Sequence, residues 1–79
     1  MRRKQTPLEV LTDENSNPWR LKTQGREKAV RRTLDFWRYN GRWWLDEPPR
    51  DYFLLELSDG RVVEVYRVAG QWALSRVAD

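Results

Sequence analysis

Residues 50–67, Arg50-Asp51-Tyr52-Phe53-Leu54-Leu55-Glu56-Leu57-Ser58-Asp59-Gly60-Arg61-Val62-Val63-Glu64-Val65-Tyr66-Arg67, decide how this chain folds. Two runs rich in aromatic and branched residues flank Ser58-Asp59-Gly60, which reads as a hairpin loop. In a three-residue loop, a type I turn followed by Gly60 in the left-handed region, Leu57 faces Arg61. Leu55 then meets Val63, Phe53 meets Val65, and Asp51 meets Arg67, giving one apolar face closed by a salt pair. The other face collects Tyr52 with Tyr66, Leu54 with Glu64, and Glu56 with Val62. A two-residue Asp-Gly turn would instead put Glu64 opposite Leu55, among apolar side chains. The three-residue loop is therefore expected.

Working outward, Ala69-Gly70 is a two-residue turn into Gln71–Val77. It sets Leu74 opposite Val65, Ala73 opposite Tyr66 and Trp72 opposite Arg67. Leu74 joins the apolar face that the first hairpin defines, so the two turns agree on a three-stranded meander. Phe53, Leu55, Leu57, Val63, Val65 and Leu74 are expected to be mostly buried. Upstream, Asn40-Gly41 is a strong two-residue hairpin signal. It predicts pairs Tyr39/Arg42, Arg38/Trp43, Trp37/Trp44 and Phe36/Leu45, with pairing ended by Pro48-Pro49.

Residues 24–39 fit two patterns. Val30, Leu34 and Trp37 have helical spacing, whereas Val30, Arg32, Leu34 and Phe36 alternate as a strand does. Aromatic and β-branched content favours a strand, with a bulge near Arg31-Arg32. Before it, Trp19-Arg20-Leu21 reads as extended and Gln24-Gly25 as a turn. Leu8–Leu11 is a short edge strand, and Thr12–Pro18 is a polar loop. The fold class expected is all-β: a small antiparallel meander or partly open barrel of five to six strands. Residues 1–6 form a loose basic arm, and residues 7–79 a single small β domain.

Composition bounds the function. Hydrophobic residues make up 39 % and charged residues 34 % of the 79, with neither Cys nor His. Disulfides, thiolate chemistry and the usual zinc ligands are thereby excluded, and so is a histidine base. Asp13-Glu14 and Asp46-Glu47 are neighbouring carboxylates in loops, without the spacing of a calcium loop. No cofactor and no catalysis are expected. No apolar run approaches the ~20 residues of a membrane span, and nothing reads as a signal peptide, so the cytoplasm is the expected location.

The net charge of +3 is uneven: residues 1–45 hold 11 Lys/Arg against 5 Asp/Glu, and residues 46–79 hold 4 against 7. A basic half suits nucleic acid or an acidic protein surface, and equally a merely solvated face. Five tryptophans, Trp19, Trp37, Trp43, Trp44 and Trp72, are more than so small a core can bury completely. Trp43 and Trp72 are read as core, with Arg38 and Arg67 stacked on their edges. Trp37 and Trp44, with Tyr39, and the Tyr52/Tyr66 pair are the candidate partner-binding residues; the alternatives are that a closed barrel or the N-terminal strands cover the indole pair, and that the tyrosines only stiffen the sheet. Arg26, Lys28, Arg31, Arg32 and Arg38 are the candidate nucleic-acid-binding residues.

From residue 18 onward the order Pro18-Trp19, Gly25-Arg26, Val30, Leu34-Asp35, Trp37-Arg38, Gly41-Arg42-Trp43-Trp44, Arg50-Asp51-Tyr52-Phe53, Asp59-Gly60, Val65-Tyr66-Arg67 and Trp72-Ala73-Leu74 forms a pattern. It resembles a bacterial family of uncharacterised small domains. These occur alone or at the C-terminus of catalytically inactive, translesion-polymerase-like proteins of the ImuB type. The resemblance implies a non-enzymatic docking module in a DNA-damage-tolerance or repair assembly. Ala29, Ala73 and Ala78 stand where that family favours aromatics.

Two functional expectations follow. The first is docking of a partner protein through an aromatic face. The second is direct binding of single-stranded nucleic acid, with basic residues on phosphates and Trp or Tyr stacked on bases. An unpaired edge strand near Leu8–Leu11 adds the option of self-association.

Overall fold

A computed structural model of the chain describes residues 8–23 and 25–78. Six strands follow one another: β1 (Glu9–Thr12), β2 (Pro18–Thr23), β3 (Arg26–Tyr39), β4 (Arg50–Leu57), β5 (Val62–Val68) and β6 (Gln71–Ala78). All pair antiparallel with their sequence neighbours, so the spatial order is β1-β2-β3-β4-β5-β6. The expected all-β meander is what forms, curled into a half-barrel. The basic arm expected over residues 1–6 lies outside the described residues.

The loop over Ser58–Gly60 has the expected form. Leu57 N–H donates to the Arg61 carbonyl at 2.8 Å, Gly60 sits at φ 91°, and Asp59 Oδ1 accepts the Arg61 N–H at 3.0 Å. The resulting register pairs Leu55 with Val63, Phe53 with Val65 and Asp51 with Arg67, and β6 adds Leu74 opposite Val65 and Trp72 opposite Arg67. Phe53, Leu55, Leu57, Val63 and Val65 are buried and cluster with Leu21 of β2. Val30, Val10, Leu8 and Trp72 pack around this cluster. Each fully buried aliphatic side chain contributes roughly 1.5–3 kcal/mol.

Residues 26–39 are strand, not helix, and β3 is long enough to serve two partners. Its first residues pair with β2 and the rest, from Val30 on, with β4. The register against β4 slips between Val30 and Arg32 and again between Thr33 and Asp35. The first slip is the expected bulge at Arg31-Arg32. Extra residues on one strand bend and twist it, and here they curl β2 over β4 and β5 so that Leu21 reaches the core.

Three expectations need correction. The Asn40-Gly41 hairpin does not form. Residues 36–39 pair with β4 instead, Phe36 with Phe53, Trp37 with Tyr52, Arg38 with Asp51 and Tyr39 with Arg50. The eight-residue β4 offers a longer ladder and a buried Phe53, whereas a ribbon running back from Asn40 is cut short by Pro48-Pro49. Trp43, Trp44 and Leu45 form a 3-10 turn, and Trp43 is 79 % exposed rather than core. Leu74 is 44 % exposed, because β6 ends the sheet and no further strand among the described residues covers it.

Gly41 has a different task from the one expected. At φ 75° it lies against the returning chain, and a Cβ on it would stand 2.6 Å from the Glu47 carbonyl oxygen. Only glycine fits there without displacement.

Candidate aromatic docking face

The register of β3, β4 and β5 places Trp37, Tyr52 and Tyr66 in one row on the sheet face opposite Phe53. Trp37 and Tyr52 stack with ring centroids 5.4 Å apart and planes 2° from parallel, and Tyr66 follows at 5.3 Å. Arg50, two residues before Tyr52 and so on the same face, lies 5.2 Å from the Tyr66 ring centroid. Its Nη1 donates to Tyr52 Oη at 3.4 Å. Cation and aromatic faces support each other in this arrangement.

The β3–β4 connection closes one side of the row. Glu47 Oε1 accepts the Arg42 backbone N–H at 3.0 Å and the Tyr39 hydroxyl at 3.4 Å. The Arg42 guanidinium lies 3.2 Å from Glu47 Oε2. Hydrogen bonding from Arg42 holds the Glu47 carboxyl below its ordinary range, and raises the Arg42 guanidinium in turn. On the other side Glu64, mostly buried, accepts from Ser75 Oγ at 2.8 Å and from Arg76 Nε at 3.1 Å. Between these walls lies an open groove of about 600 Å³, bordered by Trp37, Tyr39, Arg42, Glu47, Arg50 and Tyr52 among others.

Of the candidate partner-binding residues, Trp37, Tyr52, Tyr66 and Tyr39 are thus brought together. Trp44 is not. It sits in the 3-10 turn, edge-on to Trp43 with centroids 5.7 Å apart. Trp43, Trp44 and Leu45 are 79 %, 63 % and 57 % exposed, three large apolar side chains in succession.

The candidate nucleic-acid residues are mostly committed to acids. Lys28 Nζ lies 2.8 Å from Asp59, Arg32 Nε 2.6 Å and Arg31 Nη1 3.8 Å from Glu56. Arg38 does not stack on Trp43 but donates to Asp51 at 2.7 Å, where Arg67 joins at 3.1 Å while lying over Trp72 as expected. Arg26, exposed at the start of β3, forms no ion pair among the described residues.

Sequence reasoning missed Arg50, Arg42, Glu47 and Glu64. The two-residue spacing of Arg50 and Tyr52 was a usable signal; the Tyr39–Glu47–Arg42 closure depends on the β3–β4 register and had none. Among the described residues no acidic cluster is arranged to hold a metal ion, and no helix is long and apolar enough to cross a membrane. Comparison with protein-family models, curated proteins and solved structures gives no match.

Proposed function

We propose that this chain is a non-enzymatic interaction module that docks a partner protein through its aromatic surface. The observation that carries the reading is the exposed Trp43-Trp44-Leu45 turn, whose flanking residues Arg42 and Glu47 border the groove over Trp37 and Tyr52. An apolar cluster of this kind is costly in water and marks interaction surfaces. Tryptophan in particular dominates the energetics of protein interfaces. The absence of His and Cys from the sequence further favours binding over catalysis.

The resemblance of residues 18–74 to small domains of ImuB-type proteins supplies the setting: a cytoplasmic DNA-damage-tolerance or repair assembly. Direct binding of single-stranded nucleic acid is less well supported, since Lys28, Arg31, Arg32 and Arg38 already face carboxylates.

Calorimetric titration of the chain into a purified ImuB-type protein tests the reading, with Trp43→Ser/Trp44→Ser as the comparison. Binding that depends on both indoles and changes little between low and high salt is expected. No binding to that protein, together with oligothymidylate binding that falls steeply with salt, would replace protein docking by nucleic-acid binding.

A further inference from the structure

We propose that the groove over Trp37 and Tyr52 takes a short acidic segment of the partner protein, one carboxylate seated on Arg50 and a neighbouring apolar side chain laid against Trp37 and Tyr39. The inference rests on the docking reading above and gives the partner a chemistry.

Arg50 is the reason. Its guanidinium is positioned by the Tyr52 hydroxyl at 3.4 Å and by the Tyr66 ring at 5.2 Å. Yet it forms no ion pair among the described residues, whereas the other arginines about the groove do: Arg42 with Glu47, Arg38 with Asp51, Arg76 with Glu64. A guanidinium with no ion pair among the described residues, and only the more distant Glu47 carboxylate acting on it, therefore faces a groove of about 600 Å³, a size within the ~300–1,000 Å³ typical of ligand sites. A guanidinium has five donors in a planar fork, and the Tyr52 contact occupies one nitrogen, so the fork retains donors for a carboxylate. Trp37 and Tyr39 supply the flat apolar wall on which an adjoining side chain can lie.

The same charges exclude a polyanion. Tracking a nucleic-acid backbone needs a series of free cations. This groove offers one, since Arg38, Arg42 and Arg76 are already held by Asp51, Glu47 and Glu64. A segment with one acidic residue between apolar ones needs no such series.

The test is an NMR titration of the ¹⁵N-labelled full chain with acetyl-Phe-Glu-Phe-amide and with its uncharged counterpart acetyl-Phe-Gln-Phe-amide. The Glu peptide is expected to bind about tenfold more tightly, the scale of one charge-assisted hydrogen-bonded contact at a half-exposed site. It should shift the Arg50 side-chain Nε–H and the Trp37 indole N–H. Arg50→Gln, with its fold checked by circular dichroism, should erase the preference for Glu. If that variant does not fold, Arg50→Lys asks the same question: a point charge without the fork should cut the preference severalfold. Equal affinity for the two peptides, a preference that survives these substitutions, or shifts centred on Trp43 and Trp44 would overturn the proposal. So would oligothymidylate displacing the Glu peptide from the groove. The two readings fail separately: a partner that still needs Trp43 and Trp44 while neither peptide binds leaves docking standing and removes the groove's acidic occupant.

Discussion

The indole of Trp37 and the ring of Tyr52 lie 5.4 Å apart with their planes within 2°, across the β3–β4 ladder. This pair ties β3 to β4 at the end of β3 away from β2, so the aromatic row is both surface and fastening. Aromatic pairs are worth ~0.5–1.5 kcal/mol beyond the area they bury. A double-mutant cycle of Trp37→Ala and Tyr52→Ala, followed by urea denaturation, should return a coupling of that size. Additive losses would mean that the stack is fortuitous.

Trp37 and Trp44 should then differ in what they do for stability. Trp44 touches Trp43 edge-on and is largely in solvent, so Trp44→Ser is expected to change stability by less than about 1 kcal/mol. Trp37→Ser removes a ring packed on Tyr52 within the ladder and should cost about 1–3 kcal/mol. Thermal unfolding of the two single variants checks the order. Equal losses would place Trp44 in contacts that the fold does not give it.

Phe53 and Leu74 share the apolar face but not its depth. Phe53 is buried against Phe36, with ring centroids 4.9 Å apart, and against Trp72 at 5.3 Å. Phe53→Ala should cost about 3–5 kcal/mol, much of what a domain of this size possesses. Leu74, half exposed on the edge strand, should cost less than about 1.5 kcal/mol as Leu74→Ala. Denaturant midpoints measured on both variants decide whether β6 is an open edge in solution.

What the sequence made legible was local. The β4–β5–β6 registers follow from Gly60 and Ala69-Gly70 because a turn fixes the pairing of the residues beside it, and the alternation of Phe53, Leu55 and Leu57 then names the buried face. The bulge at Arg31 was readable because the strand alternation is carried past a charged pair. The β3–β4 pairing was not, because Asn40-Gly41 offers a strong local alternative, and choosing between them depends on a partner strand ten residues downstream. The error set Trp37 opposite Trp44 instead of Tyr52, and it hid Arg50 and the Glu47 closure from the site. Tyr52 and Tyr66 came through because their pairing belongs to the hairpin, not to the connection.

Asp51 gives the fold a dependence on acid. Its carboxylate, 8 % exposed as a residue, accepts from Arg38 at 2.7 Å and from Arg67 at 3.1 Å. The hydrogen bond from Arg38 first, and that from Arg67 after it, hold its pKa below the ordinary carboxylate value against the opposing effect of burial. With the folded pKa below the unfolded one, the ionised pair contributes fully above about pH 4. That contribution is lost as pH falls through the folded value. Glu47 and Asp59 are held down as well, by Arg42 and Lys28, but Glu47 is only half-buried and Asp59 exposed, so solvent weakens the effect. Asp51→Asn should therefore lower the melting temperature at pH 7 and flatten its fall between pH 4 and pH 2. Glu47→Gln should change the acid limb less. Melting curves across that range that coincide for wild type and Asp51→Asn would remove Asp51 from the acid response.

The β5–β6 turn leaves room for improvement. Ala69 and Gly70 sit at φ 52° and 79°, the paired left-handed geometry of a type I′ turn. Gly70 adopts it freely, but Ala69 carries a Cβ against its own carbonyl, at a cost of roughly 1–2 kcal/mol. Asparagine tolerates this region better and is the preferred first residue of such a turn. Ala69 is also exposed, so a larger polar side chain meets no packed neighbour. Ala69→Asn is expected to stabilise the domain by about 0.5–1 kcal/mol. Gly41 is the opposite case: its positive φ comes with the Glu47 carbonyl 2.6 Å from where a Cβ would be. Gly41→Ala should destabilise by more than about 1 kcal/mol and loosen the Trp43–Leu45 turn. Urea denaturation of the two variants reads both signs. Loss of stability in Ala69→Asn would mean that the β5–β6 connection is not the two-residue turn that sets Tyr66 opposite Ala73 and leaves the aromatic row open on that side.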